Sequence, residues 1–160
     1  MRRRLKNWPH FLNNFTNKKL SQQVNEHEQL TTFVVHRSKV NWETRRVREQ
    51  LFLPRAGKSN PFETSINRTT CLARSTIWKI CRDHFEKPAE PAIGRGCGPA
   101  SAIFAQNLTF DADGIPHSSH TNIIGWYIDP AKTEKEMQKH HWKIVAQKIA
   151  AKFPYLERPN

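Results

Sequence analysis

The sequence contains no apolar run approaching the 18 or so residues that a bilayer-spanning helix needs. No hydrophobic stretch follows its basic N-terminus, so a secretory leader is not expected. Cysteine is scarce too. Cys71, Cys81 and Cys97 are odd in number and share no C-x-x-C spacing, which argues against a disulfide framework and against a zinc ribbon. These absences predict a cytoplasmic chain with reduced thiols. They also make Asn67-Arg-Thr69 and Asn107-Leu-Thr109 chance matches to the glycosylation pattern. Acid is in short supply, with 14 Asp and Glu against 26 Lys and Arg, a net charge of +12 and a pI of about 10.1. Gly57-Lys58-Ser59 resembles the end of a phosphate loop, but the upstream glycine that loop requires falls on Phe52, so a P-loop is rejected. No helix-turn-helix pattern, zinc finger or internal repeat is visible.

What is present suffices for one ordinary domain of 160 residues. Residues 1–28 read as a basic arm holding Arg2, Arg3, Arg4, Lys6, Lys18 and Lys19, with no acid before Glu26. Trp8, Phe11, Leu12, Phe15 and Leu20 are spaced for one short amphipathic helix after Pro9. Residues 29–156 read as a single compact α+β domain, with a mixed or antiparallel sheet and two main helices. The patterning predicts strands near 31–36, 48–53, 64–69, 106–111 and 120–127, and helices near 75–86 and 133–153. Their alternation is too irregular for a doubly wound parallel sheet. Ile77, Trp78, Cys81 and Phe85 form one helical stripe, which assigns Cys81 to the core and leaves His84 exposed. Residues 88–99, PAEPAIGRGCGP, read as a loop for their prolines and glycines, ahead of a short helix at 100–106.

The chemistry concentrates in Pro116 to Tyr127, PHSSHTNIIGWY. His117 and His120 stand three apart, directly before an apolar run that reads as a buried strand, and the turn signal Asp111–Gly114 precedes them. Such a pair can cleave RNA without a metal. One imidazole takes the 2′-hydroxyl proton, a second acid protonates the leaving oxygen, and an arginine offsets the phosphorane charge. The plainer alternative has His120 bonded to the turn and His117 in solvent. Zinc would need three or four converging ligands, and Asp111 and Asp113 lack the rest of a calcium loop, so neither a metal nor any other cofactor is expected.

A second cluster is Asn41 to Leu53, where Arg45, Arg46 and Arg48 lie between Trp42 and Phe52. Arginines flanked by aromatics suit phosphate contact and base stacking, and Lys58 adds charge in the following loop. The chain is therefore expected to associate with nucleic acid, RNA in preference to DNA. The competing reading is a protein-interaction or assembly module, docking a partner or a second copy, whose basic charge is incidental.

Arg46 with Phe52, Ser65-x-x-Arg68, and His120-x-x-Ile123-x-Gly125-Trp126 together give the chain a further likeness. Over roughly residues 44–150 it resembles a set of small, uncharacterised bacterial proteins with an S-x-x-R segment and a closing H-x-x-I-x-G-W strand. The resemblance singles out Arg46, Ser65, Arg68 and His120 as residues to test together, and implies nothing about substrate. The site expected from the residues is His117, His120 and Arg68 for catalysis, with Arg45, Arg46, Arg48, Lys58 and Trp42 for nucleic acid.

Overall fold

The computed structural model describes residues 20, 21 and 23–160. The expected N-terminal helix after Pro9 lies outside these residues.

The domain is α+β, built on one antiparallel sheet of seven strands. In chain order these are β1 (Gln29–Val34), β4 (Arg55–Ala56), β5 (Phe62–Arg68), β6 (Gly94–Pro99), β7 (Thr109–Asp111), β8 (His120–Ile124) and β9 (Tyr155–Glu157). A separate two-stranded hairpin pairs β2 (Val40–Asn41) with β3 (Arg46–Val47). Across the sheet the order is β7-β8-β5-β1-β6-β9, and β4 pairs with β5 beside this path. The helices are α1 (Arg74–His84), the single turn α2 (Ser101–Phe104), α3 (Glu134–Lys139) and α4 (His141–Ala150).

The sheet divides the protein into two apolar clusters because strand side chains alternate between faces. Leu30, Val34, Ile66 and Ile123 point to the larger cluster, where they meet Trp142, Ala146 and Ile149 of α4 and Phe153 beyond it. Phe33 points the other way, onto Ile77, Trp78 and Cys81 of α1. The expected α1 stripe is thus in place, and burial pushes the Cys81 thiol up to about 12, with Glu86 beside it adding to the shift. His84 is exposed, as expected.

Three expectations need correcting. Residues 94–99 are an interior strand, β6, paired with β1 along its whole length and with β9 on its other side. Glycine made this segment look like a loop, but here glycine serves close approach. A Cβ on Gly96 would stand 2.6 Å from a Val47 methyl, and one on Gly98 would stand 2.7 Å from both the Lys152 carbonyl oxygen and the Phe153 ring. Alternate glycines let the β2–β3 hairpin and the segment after α4 lie directly on the sheet. The expected strand at 48–53 is instead a 3-10 turn over Glu49–Leu51, preceded by the two residues of β3. The expected helix 133–153 breaks at His140 into α3 and α4. Thr133 caps α3 through a reciprocal pair of bonds with Glu136, which fixes where that element starts.

Candidate functional site

By register, His120 of β8 is opposite Asn67 of β5, and Asn122 is opposite Ser65. Thr31 of β1 continues the first row, opposite Asn67 on one side and Cys97 of β6 on the other. The sheet face toward α1 therefore carries a polar band, although Thr31, Asn67, His120 and Asn122 are all buried. Buried polar groups need partners, and most are found inside the band. Asn67 donates through Nδ2 to the Thr31 carbonyl at 3.1 Å, while the Thr31 and Thr69 hydroxyls stand 2.9 Å apart. Arg95 donates to the Thr31 hydroxyl at 3.2 Å. The Ser65 hydroxyl, on an exposed residue, donates to Asn122 Oδ1 at 3.4 Å.

At one end of the band is a carboxylate–imidazole pair. His120 Nδ1 lies 2.8 Å from Asp113 Oδ1, and Asn122 Nδ2 donates to the other Asp113 oxygen at 3.3 Å. Burial alone would raise the Asp113 carboxyl. The hydrogen bond with His120 and one from the Ile115 backbone N–H outweigh it and hold that carboxyl below its ordinary value. An ionised Asp113 favours the tautomer with the proton on Nδ1, which leaves Nε2 as the basic nitrogen. Nε2 makes no hydrogen bond among the described residues. The reversal that forms this pair is longer than a tight turn: residues 112–119 join β7 to β8 and include a cis Ile115–Pro116 bond.

His117 sits in that connection and is not in solvent. Its ring lies 4.6 Å from that of His84, 6.4 Å from Phe85 and 6.0 Å from His120, centroid to centroid. Both ring nitrogens are buried without a partner among the described residues. Burial lowers its pKa to about 4, and the neighbouring His84 and His120 reinforce that shift. His117 is therefore neutral at pH 7 and cannot serve as the second acid.

A pH dependence follows. In the unfolded chain an imidazole titrates near 6.5, so between pH 6.5 and 4 the unfolded state binds a proton that folded His117 refuses. Stability present above pH 6.5 is lost as the pH falls toward 4, by at most about 3 kcal/mol from this residue. Urea denaturation at pH 7.5 and pH 4.5 should show that loss in the wild type and a smaller one in His117→Phe. Equal losses in the two proteins would show that His117 does not set it.

Arg68 alternates to the opposite face of β5 from Asn67. Its guanidinium makes two 2.7 Å hydrogen bonds to the Glu28 carboxylate and further bonds to the Ser21 and Gln23 carbonyls. With 3% of its side chain exposed, it is a structural ion pair and does not face His120. Arg46 is on the hairpin, whose Val47 packs over Gly96 on the larger-core side of the sheet. Of the four residues that the S-x-x-R and H-x-x-I-x-G-W likeness groups together, Ser65 and His120 share the face toward α1, while Arg46 and Arg68 lie on the other side of the sheet.

The arginine cluster does assemble, but as its own surface. Asn41 Oδ1 accepts from the backbone N–H groups of Glu43 and Thr44, and Arg45 turns the chain with φ of 52°. Backbone bonds from Val47 N to the Phe153 carbonyl and from Tyr155 N to the Arg45 carbonyl tie the hairpin to the body. Trp42 is edge-on to Tyr155 at 5.4 Å. The Arg37 and Arg45 guanidiniums lie 4.6 and 5.8 Å from the Trp42 ring centre. Arg45, Arg46 and Arg48 are exposed, and none of them forms a salt bridge among the described residues. Lys58 is in the loop between β4 and β5, not on the hairpin.

No protein-family model, curated protein or solved structure matches the chain. The site rests on its own geometry. Sequence reasoning singles out His120 and the hairpin arginines as candidates but assigns Asp113 to a turn and not to His120 as its partner. The spacing of that aspartate, seven residues before His120, carries no periodic signal. Only the register of β7 on β8 brings the two together. Among the described residues no three His, Cys, Asp or Glu side chains converge as a metal-ion site, and none of their helices is long and apolar enough to cross a membrane.

Proposed function

We propose that this protein binds single-stranded RNA through the β2–β3 hairpin. The observation that carries the reading is Trp42 with two guanidiniums over its ring, beside the exposed Arg46 and Arg48. Guanidinium planes and indoles stack on bases, and arginine contacts phosphate in a fork that lysine lacks. The backbone bonds to Phe153 and Tyr155 hold the hairpin in place before RNA arrives, which lowers the entropy cost of docking. Arg2, Arg3, Arg4, Lys6, Lys18 and Lys19 hold half of the +12 excess and add attraction for the same polyanion.

Salt titration of binding to a single-stranded RNA tests it. The triple variant Arg45→Ala/Arg46→Ala/Arg48→Ala should give a shallower slope of log affinity against log salt, by about 0.7 for each phosphate contact removed. Trp42→Ala should weaken binding roughly 5- to 100-fold, the equivalent of one lost stacked base. An unchanged slope in the triple variant would move the interface elsewhere. No binding by the wild type even at low salt would favour the protein-docking reading.

A second reading concerns chemistry, and the His120–Asp113 pair favours it. His120 Nε2 would accept the proton of an RNA 2′-hydroxyl, and the resulting oxygen would attack the adjacent phosphorus. The 5′-oxygen would leave with a proton from water, giving a 2′,3′-cyclic phosphate and a free 5′-hydroxyl. Arg95, whose guanidinium donates to Thr31 on the same sheet face, would be the cation for the phosphorane in this scheme. The hairpin lies on the other side of the sheet, so RNA held there would have to pass an edge of the sheet to reach His120.

A further inference from the structure

Helix α4 carries two stripes. Trp142, Ala146 and Ile149 turn into the core. His141, Val145 and Lys148, spaced four and three apart, turn instead toward a cavity of about 400 Å³. Its other walls are Ala105–Leu108, after α2, and Gly125–Tyr127, after β8. Two left-handed residues shape these walls, Asn107 at φ 58° and Gly125 at φ 88°. The backbone they turn is held by two indoles, since Trp126 donates to the Ile123 carbonyl and Trp142 to the Tyr127 carbonyl. The cavity is thus built on fixed structure, and its size falls within the range of small-molecule sites.

Its lining is chemically one-sided. The Tyr127 and His141 rings stand 4.9 Å apart at 55°, an open aromatic corner, and Tyr127 is 56% exposed. Gln106, Asn107 and Lys148 line the same space, and no acidic residue does. Lys148 forms no salt bridge among the described residues. An aromatic corner offers stacking, carboxamides can pair with donors and acceptors on a ring edge, and an ammonium with no acid nearby selects an anion.

We propose that this cavity binds a planar heteroaromatic ring bearing an anionic group, such as a nucleoside monophosphate or an aromatic carboxylate. The proposal does not depend on RNA binding at the hairpin or on chemistry at His120.

Titration of the full chain with AMP, adenosine, inorganic phosphate and indole-3-acetate, followed by calorimetry and by NMR shifts, tests it. AMP should bind at least about tenfold more tightly than adenosine or phosphate alone, and shifts should centre on residues 105–108, 125–127 and 141–148. Lys148→Ala should weaken AMP about tenfold or more and leave adenosine unchanged, while Tyr127→Ala should weaken both. Stronger binding of indole-3-acetate than of AMP would identify the anion as a carboxylate and support the site. Lys143→Ala is the charge-matched control, because Lys143 is on α4 but not in the lining. An equal loss in Lys143→Ala, or shifts spread over the basic surface, would reduce the effect to general anion attraction and overturn the proposal. No binding of any probe at millimolar concentration would overturn it as well. RNA binding by Lys148→Ala, measured in parallel, separates a failure here from a failure at the hairpin.

Discussion

Arg68→Ala is expected to cost the fold about 3–5 kcal/mol, the range for breaking a buried ion pair by removing one partner. The side chain bonds both oxygens of Glu28 and two backbone carbonyls, and it holds Ser21, Gln23 and Glu28 against the end of β5. Without it the Glu28 carboxylate, 14% exposed, keeps its charge among groups that no longer answer it. Burial pushes the Glu28 carboxyl up, but the Arg68 hydrogen bonds and the Asn25 backbone N–H outweigh burial and hold it below its ordinary 4.5. The pair's contribution is therefore present above pH 4.5 and lost as the pH falls through the lowered folded value. Arg68→Lys should recover only part of the loss, because an ammonium cannot reproduce the two-pronged contact. Urea denaturation of Arg68→Ala, Glu28→Gln and the double variant is the check. The double variant should lose less than the two single losses added together. A loss under about 1 kcal/mol in Arg68→Ala, with RNA cleavage abolished, would instead return Arg68 to the catalytic role expected from sequence.

Under the ribonuclease reading proposed above, His120→Ala is expected to lower RNA cleavage by about 10²- to 10⁴-fold, the usual cost of removing a general base. RNA affinity should stay within a few fold, since the proposed phosphate contacts lie on the β2–β3 hairpin across the sheet. Asp113→Asn should also lower the rate, by removing the charge that fixes the imidazole's tautomer. A merely structural Asp113 would not shift the pH–rate profile, so a displaced profile in Asp113→Asn distinguishes positioning from folding. His117→Ala should leave the rate largely intact, because the His117 nitrogens are buried and its imidazole is neutral at pH 7. Loss of activity in EDTA, restored by zinc or manganese, would transfer the chemistry to a metal. Full activity in His120→Ala would leave the His120–Asp113 pair as an anchor for the 112–119 connection and nothing more.

The parts legible in the sequence were those with a period. Strand β1 and strand β5 announce themselves by β-branched residues, helix α1 by the stripe Ile77, Trp78 and Cys81, and β8 by its paired isoleucines. Aperiodic features were misread for identifiable reasons. In GRGCGP the alternation that marks a strand is present, but its inward member is glycine, so a hydrophobicity pattern registers nothing there. The break at His140 goes unsignalled because α3 carries a single apolar residue, Met137, too few to set a phase against the α4 stripe, and only the capped start of α3 at Thr133 carries a local signal. The site divides in the same way. His120 stood out because a histidine before an apolar strand is conspicuous. Asp113 and Asn67 are tertiary partners, placed by strand register and not by spacing. Arg68 was misassigned because the S-x-x-R likeness places Ser65 and Arg68 three apart on a strand, where residues three apart face opposite ways.

Both borders of the seven-stranded sheet are strands of three residues, β7 and β9. Short borders offer few unpaired backbone groups, which is one way sheets avoid growing by recruiting further chains. The border at β9 conceals a different situation beneath it. Strand β6 is six residues long and presents only hydrogen atoms at Gly94, Gly96 and Gly98 on one face. If Tyr155–Glu157 detached, the unpaired backbone edge of β6 would be laid open, although its glycine face stays covered by Val47 and Phe153. That edge is kept closed by the β6–β9 backbone pairing together with Tyr155, whose buried ring lies over Gly94 and whose hydroxyl donates to the Ile93 carbonyl.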